Sequence, residues 1–258
     1  RRLRWIPWLQ AVLLLGVVGT GVWMIRTSSR SERERIWTAM ARESAHQMGT
    51  PLSSLVGWLE LLEGSAAPAG LRPDGIDVMS EMKDDVDRLE KVSRRFELIG
   101  RQSPLRPVSL HAVVDDLTRY FQARMPSMRG HVEVVSDIPP DAPHVLGNET
   151  LLEWAFENLF KNSLDSLAGR DGEIRIAWLG THGGRARLRF ADDGPGVAPD
   201  LRGRMFDVGV TSKQGGWGVG LSLARRIFVD VHRGSITLEP TETGAVFAIE
   251  LPVAGSNG

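Results

Sequence analysis

The sequence predicts an α+β protein in three parts: a membrane helix, a helical hairpin, and a C-terminal unit whose helices cover one face of a mostly antiparallel sheet. Three observations predict it. Residues 5–25 contain no charged side chain, two stretches before residue 100 repeat apolar residues at helical spacing, and short β-type runs alternate with helical ones after Pro107. With 42% hydrophobic and 24% charged residues, the 258-residue chain is ordinary globular material, enough for one or two cores. A net charge of -1 gives no footing for nucleic acid. The absence of cysteine excludes disulfides, thiol catalysis and Cys-ligated zinc. Glycine numbers 28, above the usual ~7%. Eight of these glycines fall between Gly194 and Gly220, which points to a loop that handles phosphate.

Trp5 to Ile25 would be roughly 30 Å long as a helix, enough to cross the hydrocarbon core. Trp5, Trp8 and Trp23 sit near its ends, where indoles favour the interface, and the arginines from Arg26 to Arg42 favour a cytoplasmic C-terminal side. A signal peptide is the competing reading, but no small-residue cleavage site precedes Arg26. The chain opens on Arg, so further residues upstream are expected.

Ser31 to about Leu62 reads as one helix, with Leu52, Leu55, Leu59 and Leu62 at 3,4,3 spacing. Gly64 to Gly75 is a turn. Asp74 to Ile99 is a second helix, with Met79, Met82, Val86, Leu89, Ser93 and Phe96 in register. Two single-seam helices bury themselves best by doubling into a four-helix bundle, so a homodimer is expected; a coiled-coil spacer fits the same heptads. Residues 102–108 read as a linker between this hairpin (26–101) and the C-terminal unit (109–253), with 254–258 as a tail. In that unit the pattern predicts helices at Leu110 to Met125, Glu149 to Leu167 and Gly218 to Val231. Strands are expected at His131 to Ser136, Ile174 to Trp178, Ala186 to Ala191, Ser235 to Glu239 and Val246 to Leu251.

Four windows carry candidate chemistry. In the first, His46 and Thr50 share a helical face, and Pro51 should bend the helix just after His46, leaving an imidazole standing out. A lone helical histidine is otherwise solvated or a satisfied core residue. In the second, Asn158 and Asn162 lie one turn apart, and neutral amide oxygens suit a magnesium ion already balanced by phosphates; two surface amides are the plainer reading. The third is Asp192-Asp193-Gly194-Pro195-Gly196 after a strand. A carboxylate there can accept from an exocyclic amine and so tell adenine from guanine, although tight turns use the same residues. In the fourth, Gly216-Trp217-Gly218-Val219-Gly220-Leu221, successive glycines free backbone N–H groups for phosphate oxygens, with Thr211, Ser212 and Lys213 close by.

Together these windows resemble a two-component sensor histidine kinase over roughly residues 26 to 252. His46-x-x-x-Thr50-Pro51 is similar to the phospho-acceptor box, Asn158 to Asp165 to the asparagine box, and Asp192-x-Gly194-x-Gly196 and Gly216-x-Gly218-x-Gly220 to the two glycine boxes. Phe206 stands where the phenylalanine box would be. The resemblance implies a Bergerat-type α/β sandwich shared with gyrase-type ATPases, with ATP and Mg2+ bound. The ATP contacts would come from Asn158, Lys161, Asn162, Asp192, Gly194, Gly196, Phe206, Thr211, Ser212, Lys213, Gly216, Gly218, Val219, Gly220 and Leu221. Asn162, with Asn158, would hold the metal. The γ-phosphoryl group would pass to His46 and then to an aspartate of a response regulator.

The chain departs from the pattern at several places. Gln47 stands where many members carry an acidic residue after the acceptor, so Glu43 is the expected base, and Gln47 with Thr50 would form any water-positioning pair. Asp165 occupies a position that is often basic, which shifts phosphate contact to Lys161 and Lys213. Ala245 lacks the hydroxyl usual there, and His232-Arg233-Gly234 keeps one glycine of a two-glycine turn. Two alternatives stand beside the kinase: a kinase-like regulator acting as phosphatase or scaffold, and a membrane-tethered gyrase-type ATPase. The other five histidines, His232 among them, are read as structural or solvated.

Overall fold

The computed structural model describes residues 13–16, 20, 38, 41, 44–45, 47–60, 78–100, 104–124, 131–213 and 216–255. His46 and Glu43 lie outside them, as does the expected turn at Gly64 to Gly75. So does the expected membrane span, apart from residues 13–16 and 20, which are helical. Among the described residues no helix is long and apolar enough to cross a membrane.

Helix α1 covers residues 47–60 and runs through Pro51 without interruption, so the proline does not end it. Helix α2, Val78–Gly100, packs beside it, and Trp58 Nε1 donates to the buried Asp85 Oδ2 at 3.3 Å. The apolar seams are only half covered within one chain: Leu52 on α1 is 57% exposed and Met79 on α2 is 69% exposed.

The C-terminal unit begins with strand β1, Arg106–Val108, inside the stretch expected to be a linker. Pro107 is tolerated there because β1 has a single partner, the three-residue strand β3 (Val145–Gly147), and lies at the edge of that pair. Helix α3 (Leu110–Arg124), strand β2 (Val132–Asp137), helix α4 (Glu149–Ser166), and strands β4 (Gly172–His182) and β5 (Arg185–Asp192) follow. Helix α5 (Gly220–Arg226) and strands β6 (Ser235–Glu239) and β7 (Ala245–Pro252) complete the unit.

The main sheet has the order β2-β4-β5-β7-β6. Its pairs are antiparallel except β2 with β4, which run parallel because α4 crosses over between them. The sheet is therefore mostly antiparallel, as expected. Alternation along β5 and β7 sends Phe190, Phe247, Ile249 and Leu251 inward and leaves Arg187 and Arg189 outward, where they pair with Glu250 and Glu239. The inward side meets the helices. Phe160 of α4 packs edge-on to Phe190 at 5.3 Å and stacks on Phe121 of α3 at 5.1 Å, and Phe156 meets Phe228 at 5.2 Å.

The expected helix Gly218 to Val231 is shorter and broken. Gly218 has φ +62, which a right-handed helix cannot use, so α5 starts at Gly220. After seven residues the chain widens into a π-helical turn, Ile227–Val231, closed by bonds from His232 N to Ile227 O (3.1 Å) and Gly234 N to Phe228 O (2.8 Å).

Candidate functional site

Helix α4 is the wall on which the site is built. Asn148 caps it, its Oδ1 accepting from Leu151 N at 3.2 Å. The apolar stripe of Leu152, Phe156, Leu159 and Phe160 is fully buried, which turns Asn158, Asn162 and Asp165 toward the loop before α5. Asn158 spends its amide N–H on Trp154 O at 2.7 Å, so its Oδ1 is left facing Gly220, where a Cβ would lie 3.1 Å away. Asn162 Oδ1 accepts from Lys213 Nζ at 3.0 Å, and Lys213 Nζ also meets Asp165 Oδ2 at 2.5 Å. The Nδ2 of Asn162 is buried with no partner among the described residues and would lie 3.6 Å from a Cβ at Gly220. An N–H donor lacking a protein acceptor beside a glycine run suits an anionic oxygen.

Asp192 ends β5 and is buried. Its Oδ2 accepts from Ser163 Oγ at 2.6 Å, and its Oδ1 accepts from Gly194 N at 3.1 Å and Ala245 N at 3.3 Å. Asp193 turns the other way, Oδ1 accepting from Glu173 N at 2.8 Å on β4. Gly244 is forced to be glycine: its φ is +72 and a Cβ would sit 1.8 Å from Asp192 O. Gly196 packs on Gly244 in turn, a Cβ there falling 2.5 Å from Gly244 O.

Gly218 O accepts from Gly209 N at 3.0 Å, which ties the stretch after Phe206 to the start of α5. Phe206 is half-buried against Phe247 at 6.4 Å, with the Arg225 guanidinium 6.0 Å from its ring. Thr211 Oγ1 accepts from Lys213 N at 3.1 Å, and a Cβ at Gly216 would lie 2.9 Å from that hydroxyl. Ser212 is exposed, Val219 is buried, and Leu221 packs on the core. Gln47 is half-buried and Thr50 exposed on α1.

The structure thus gathers these windows against α4: Asn158, Asn162 and Asp165 meet Gly220 and Lys213, and Asp192 and Gly194 meet Ser163 and Ser166 of the same helix. Lys161 is drawn elsewhere, its Nζ 2.7 Å from Glu157 Oε1. Glu157 also pairs with Arg95 of α2, whose guanidinium lies 5.3 Å from the Trp154 ring, and Lys91 pairs with Glu153 at 2.5 Å. Burial alone would push the Glu157 carboxyl up, but Arg95 and Lys161 together hold it below the usual carboxylate range. Ser163 was not singled out from the sequence; a hydroxyl on the buried stripe of an apolar helix is the signal that could have found it.

An α/β sandwich with an amide pair, a buried strand-end carboxylate and a glycine run along one helix defines an ATPase-type nucleotide unit. Accordingly, residues 147–255 match the family described as histidine kinase-, DNA gyrase B- and HSP90-like ATPases. The chain is 29% identical over 245 residues to the sensory histidine kinase/phosphatase NtrB of Rhodobacter capsulatus, covering 90% of this chain and 65% of the relative. It is 30% identical over 225 residues to NtrB of Escherichia coli O157:H7, covering 83% of this chain and 62% of that protein. Among solved structures, full-length ShkA in complex with AMPPNP aligns with a TM-score of 0.56 at 25% identity, over 85% of this chain and 46% of that one. The catalytic domain of the histidine kinase ThkA shares the fold, with a TM-score of 0.51 at 24% identity over 58% of this chain and 97% of that domain. The chain spans less than two thirds of the length of the curated relatives it matches.

Proposed function

We propose that the chain is a membrane-anchored, homodimeric sensor histidine kinase that transfers the γ-phosphoryl group of ATP to His46 and then to an aspartate of a response regulator. One observation carries it: the residues of three separate sequence windows, Asn158 with Asn162, Asp192 with Gly194, and Gly216 to Gly220, come together along helix α4. The full-length relative ShkA is described in complex with AMPPNP, and ThkA in complex with the response regulator TrrA, which supports the nucleotide and the partner.

In this reading Asp192 accepts from the exocyclic amine of adenine, and the glycine run lets backbone N–H groups approach the phosphates. The Nδ2 of Asn162 gains the anionic acceptor it lacks. The residues also fit a divalent cation, because Asn162 Oδ1 already receives the Lys213 ammonium at 3.0 Å and Asp165 adds negative charge. Asn162 and Asn158 would hold Mg2+, which neutralises phosphate charge. Lys213 and the cleft's N–H groups position the phosphates, the bond from the γ-phosphorus to its bridging oxygen breaks, and a P–N bond forms at His46 with ADP leaving. Glu43 is the proposed base at His46, with Gln47 and Thr50 beside it. Because Asn158 is an amide it cannot activate water, so the phosphoryl group is kept for His46 rather than lost to hydrolysis.

The finer architecture belongs to the same proposal: a span at 5–25, a hairpin at 26–101 forming a four-helix bundle in the dimer, and a kinase unit on the cytoplasmic side of the plasma membrane. Exposed Leu13, Leu14 and Leu15 on a helical segment suit a lipid surface, and exposed Leu52, Val56, Leu59, Met79 and Val86 suit a second copy. The test is incubation with γ-labelled ATP and magnesium. Acid-labile, alkali-stable label on the parent, absent from His46→Gln, is expected. Steady ATP turnover without label, unchanged in His46→Gln, would establish a plain ATPase instead.

A further inference from the structure

We propose that Ser163 is a positioning residue that sets the base selectivity of the cleft by fixing the carboxylate of Asp192. The proposal rests on the nucleotide reading above and goes beyond it by giving a role to the Ser163 hydroxyl.

Three donors hold the Asp192 carboxylate, and they are not equivalent. Gly194 N and Ala245 N both serve Oδ1, at 3.1 and 3.3 Å, whereas Ser163 Oγ serves Oδ2 at 2.6 Å. Two donors on one oxygen leave the carboxylate plane free to tilt about that oxygen. A third donor on the other oxygen stops it. The pair is dry, with Ser163 1% and Asp192 7% exposed, so an oxygen left without its donor would find no water to replace it. The two N–H donors are backbone and survive any substitution. The hydroxyl alone is under side-chain control.

The neighbouring strand does not supply one. In the sheet, Ala245 lies directly opposite Asp192, and its side chain is a methyl. The hydroxyl missing from β7 is therefore provided from the opposite wall by α4, where Ser166 Oγ in turn donates to Ser163 O at 2.8 Å. Asp193 cannot take over, because its carboxylate is committed to Glu173 N at 2.8 Å.

The chemistry follows from what a carboxylate can offer. A carboxylate held in place offers only lone pairs, so it accepts from the 6-amino group of adenine and meets the 6-oxo group of hypoxanthine or guanine with repulsion. A carboxylate free to tilt loses its alignment with the amine, which weakens its hold on a 6-amino purine while giving a 6-oxo purine no new contact. Selectivity between a 6-amino and a 6-oxo purine is then the property that passes through Ser163, whereas affinity for the phosphates does not.

The experiment measures dissociation constants of ATP and ITP, each with magnesium, by calorimetry on the full chain kept in detergent. The parent is expected to prefer ATP. Ser163→Ala should narrow the ATP to ITP preference about tenfold, the factor of one hydrogen bond to a charged group, by weakening ATP while ITP changes little. Ser163→Thr, which keeps the hydroxyl, should keep the preference. If Ser163→Ala fails to give folded protein, Ser163→Cys replaces it, and its weaker donor should narrow the preference by a smaller factor. Equal losses for ATP and ITP in the variant, or no change in either, would overturn the role of Ser163 while leaving the nucleotide reading intact. A folded parent that binds neither nucleotide would overturn the nucleotide reading and this proposal with it.

Discussion

Acid should destabilise this protein through one buried ring, His232, before any carboxylate is reached. The ring is 1% exposed and bridges two helical segments: Nε2 accepts from Asn148 N at 2.9 Å, so Nδ1 carries the proton and donates to Ile227 O at 2.7 Å. Both partners are backbone groups, and Asn148 is also the cap of α4. Burial holds the His232 pKa below its ordinary 6.5, and the bond to Ile227 offsets this only in part. A proton on Nε2 would set two N–H groups against each other, so the folded chain refuses a proton that the unfolded chain accepts. The stability contributed by the neutral ring is thus complete above pH 6.5 and is lost as pH falls below it. The slope can approach about 1.4 kcal/mol per pH unit between the lowered pKa and the ordinary one. Urea unfolding at several pH values checks this. The parent should lose more stability than His232→Gln as the pH falls from about 7.5 to below 6.5. His232→Gln should start lower by about 1–2 kcal/mol, because its amide meets Asn148 N imperfectly. Parallel pH curves for the two proteins would refute the reasoning.

Three further outcomes are expected. Gly218→Ala places a Cβ 2.6 Å from Gly209 C and Val210 O at φ +62, so the loop before α5 must move; unfolding free energy should drop by about 1–2 kcal/mol and nucleotide affinity by about tenfold. Unaltered affinity in calorimetry would show that this loop does not shape the cleft. Arg95→Ala leaves Glu157 buried with Lys161 alone, and a cost of about 3 kcal/mol is expected in denaturant unfolding, against well under 1 kcal/mol for Arg88→Ala, whose partner lies at 3.5 Å with Arg88 60% exposed. Because the Glu157 carboxyl is held low, its contribution is present above its ordinary pKa of 4.5 and vanishes as pH falls below that value, a window separate from that of His232. Asn158→Glu puts a carboxylate where an amide oxygen faces Gly220, and phosphate release should rise while label on His46 falls; no change in release would count against the amide's role.

Much of this architecture is legible in the sequence itself. Helical period alone puts Asn158, Asn162 and Asp165 on one face of α4, and alternation puts Asp192 at the end of a strand, because each signal repeats within a single element. The two three-residue strands were not legible, since β1 and β3 are too short to show a period and are defined by long-range pairing, with each other and, for Val145, with Val253. The parallel pairing of β2 with β4 depends on a crossover, and the early end of the last helix on a π-helical turn that backbone bonds alone reveal.

The alanine at 245 illustrates the deeper reason. Read along β7, it is a lost hydroxyl. In three dimensions the carboxylate of Asp192 collects donors from the turn after β5, from β7 and from α4, and the supply from α4 meets the need that β7 does not. A motif scanned strand by strand treats each position as independent. The carboxylate responds only to the sum of its donors, so substitutions at 163 and 245 should not be additive. Adding a hydroxyl with Ala245→Thr should restore part of the base preference lost in Ser163→Ala, while doing little to the parent. Equal effects of Ala245→Thr in both backgrounds would mean that the two walls of the cleft act separately.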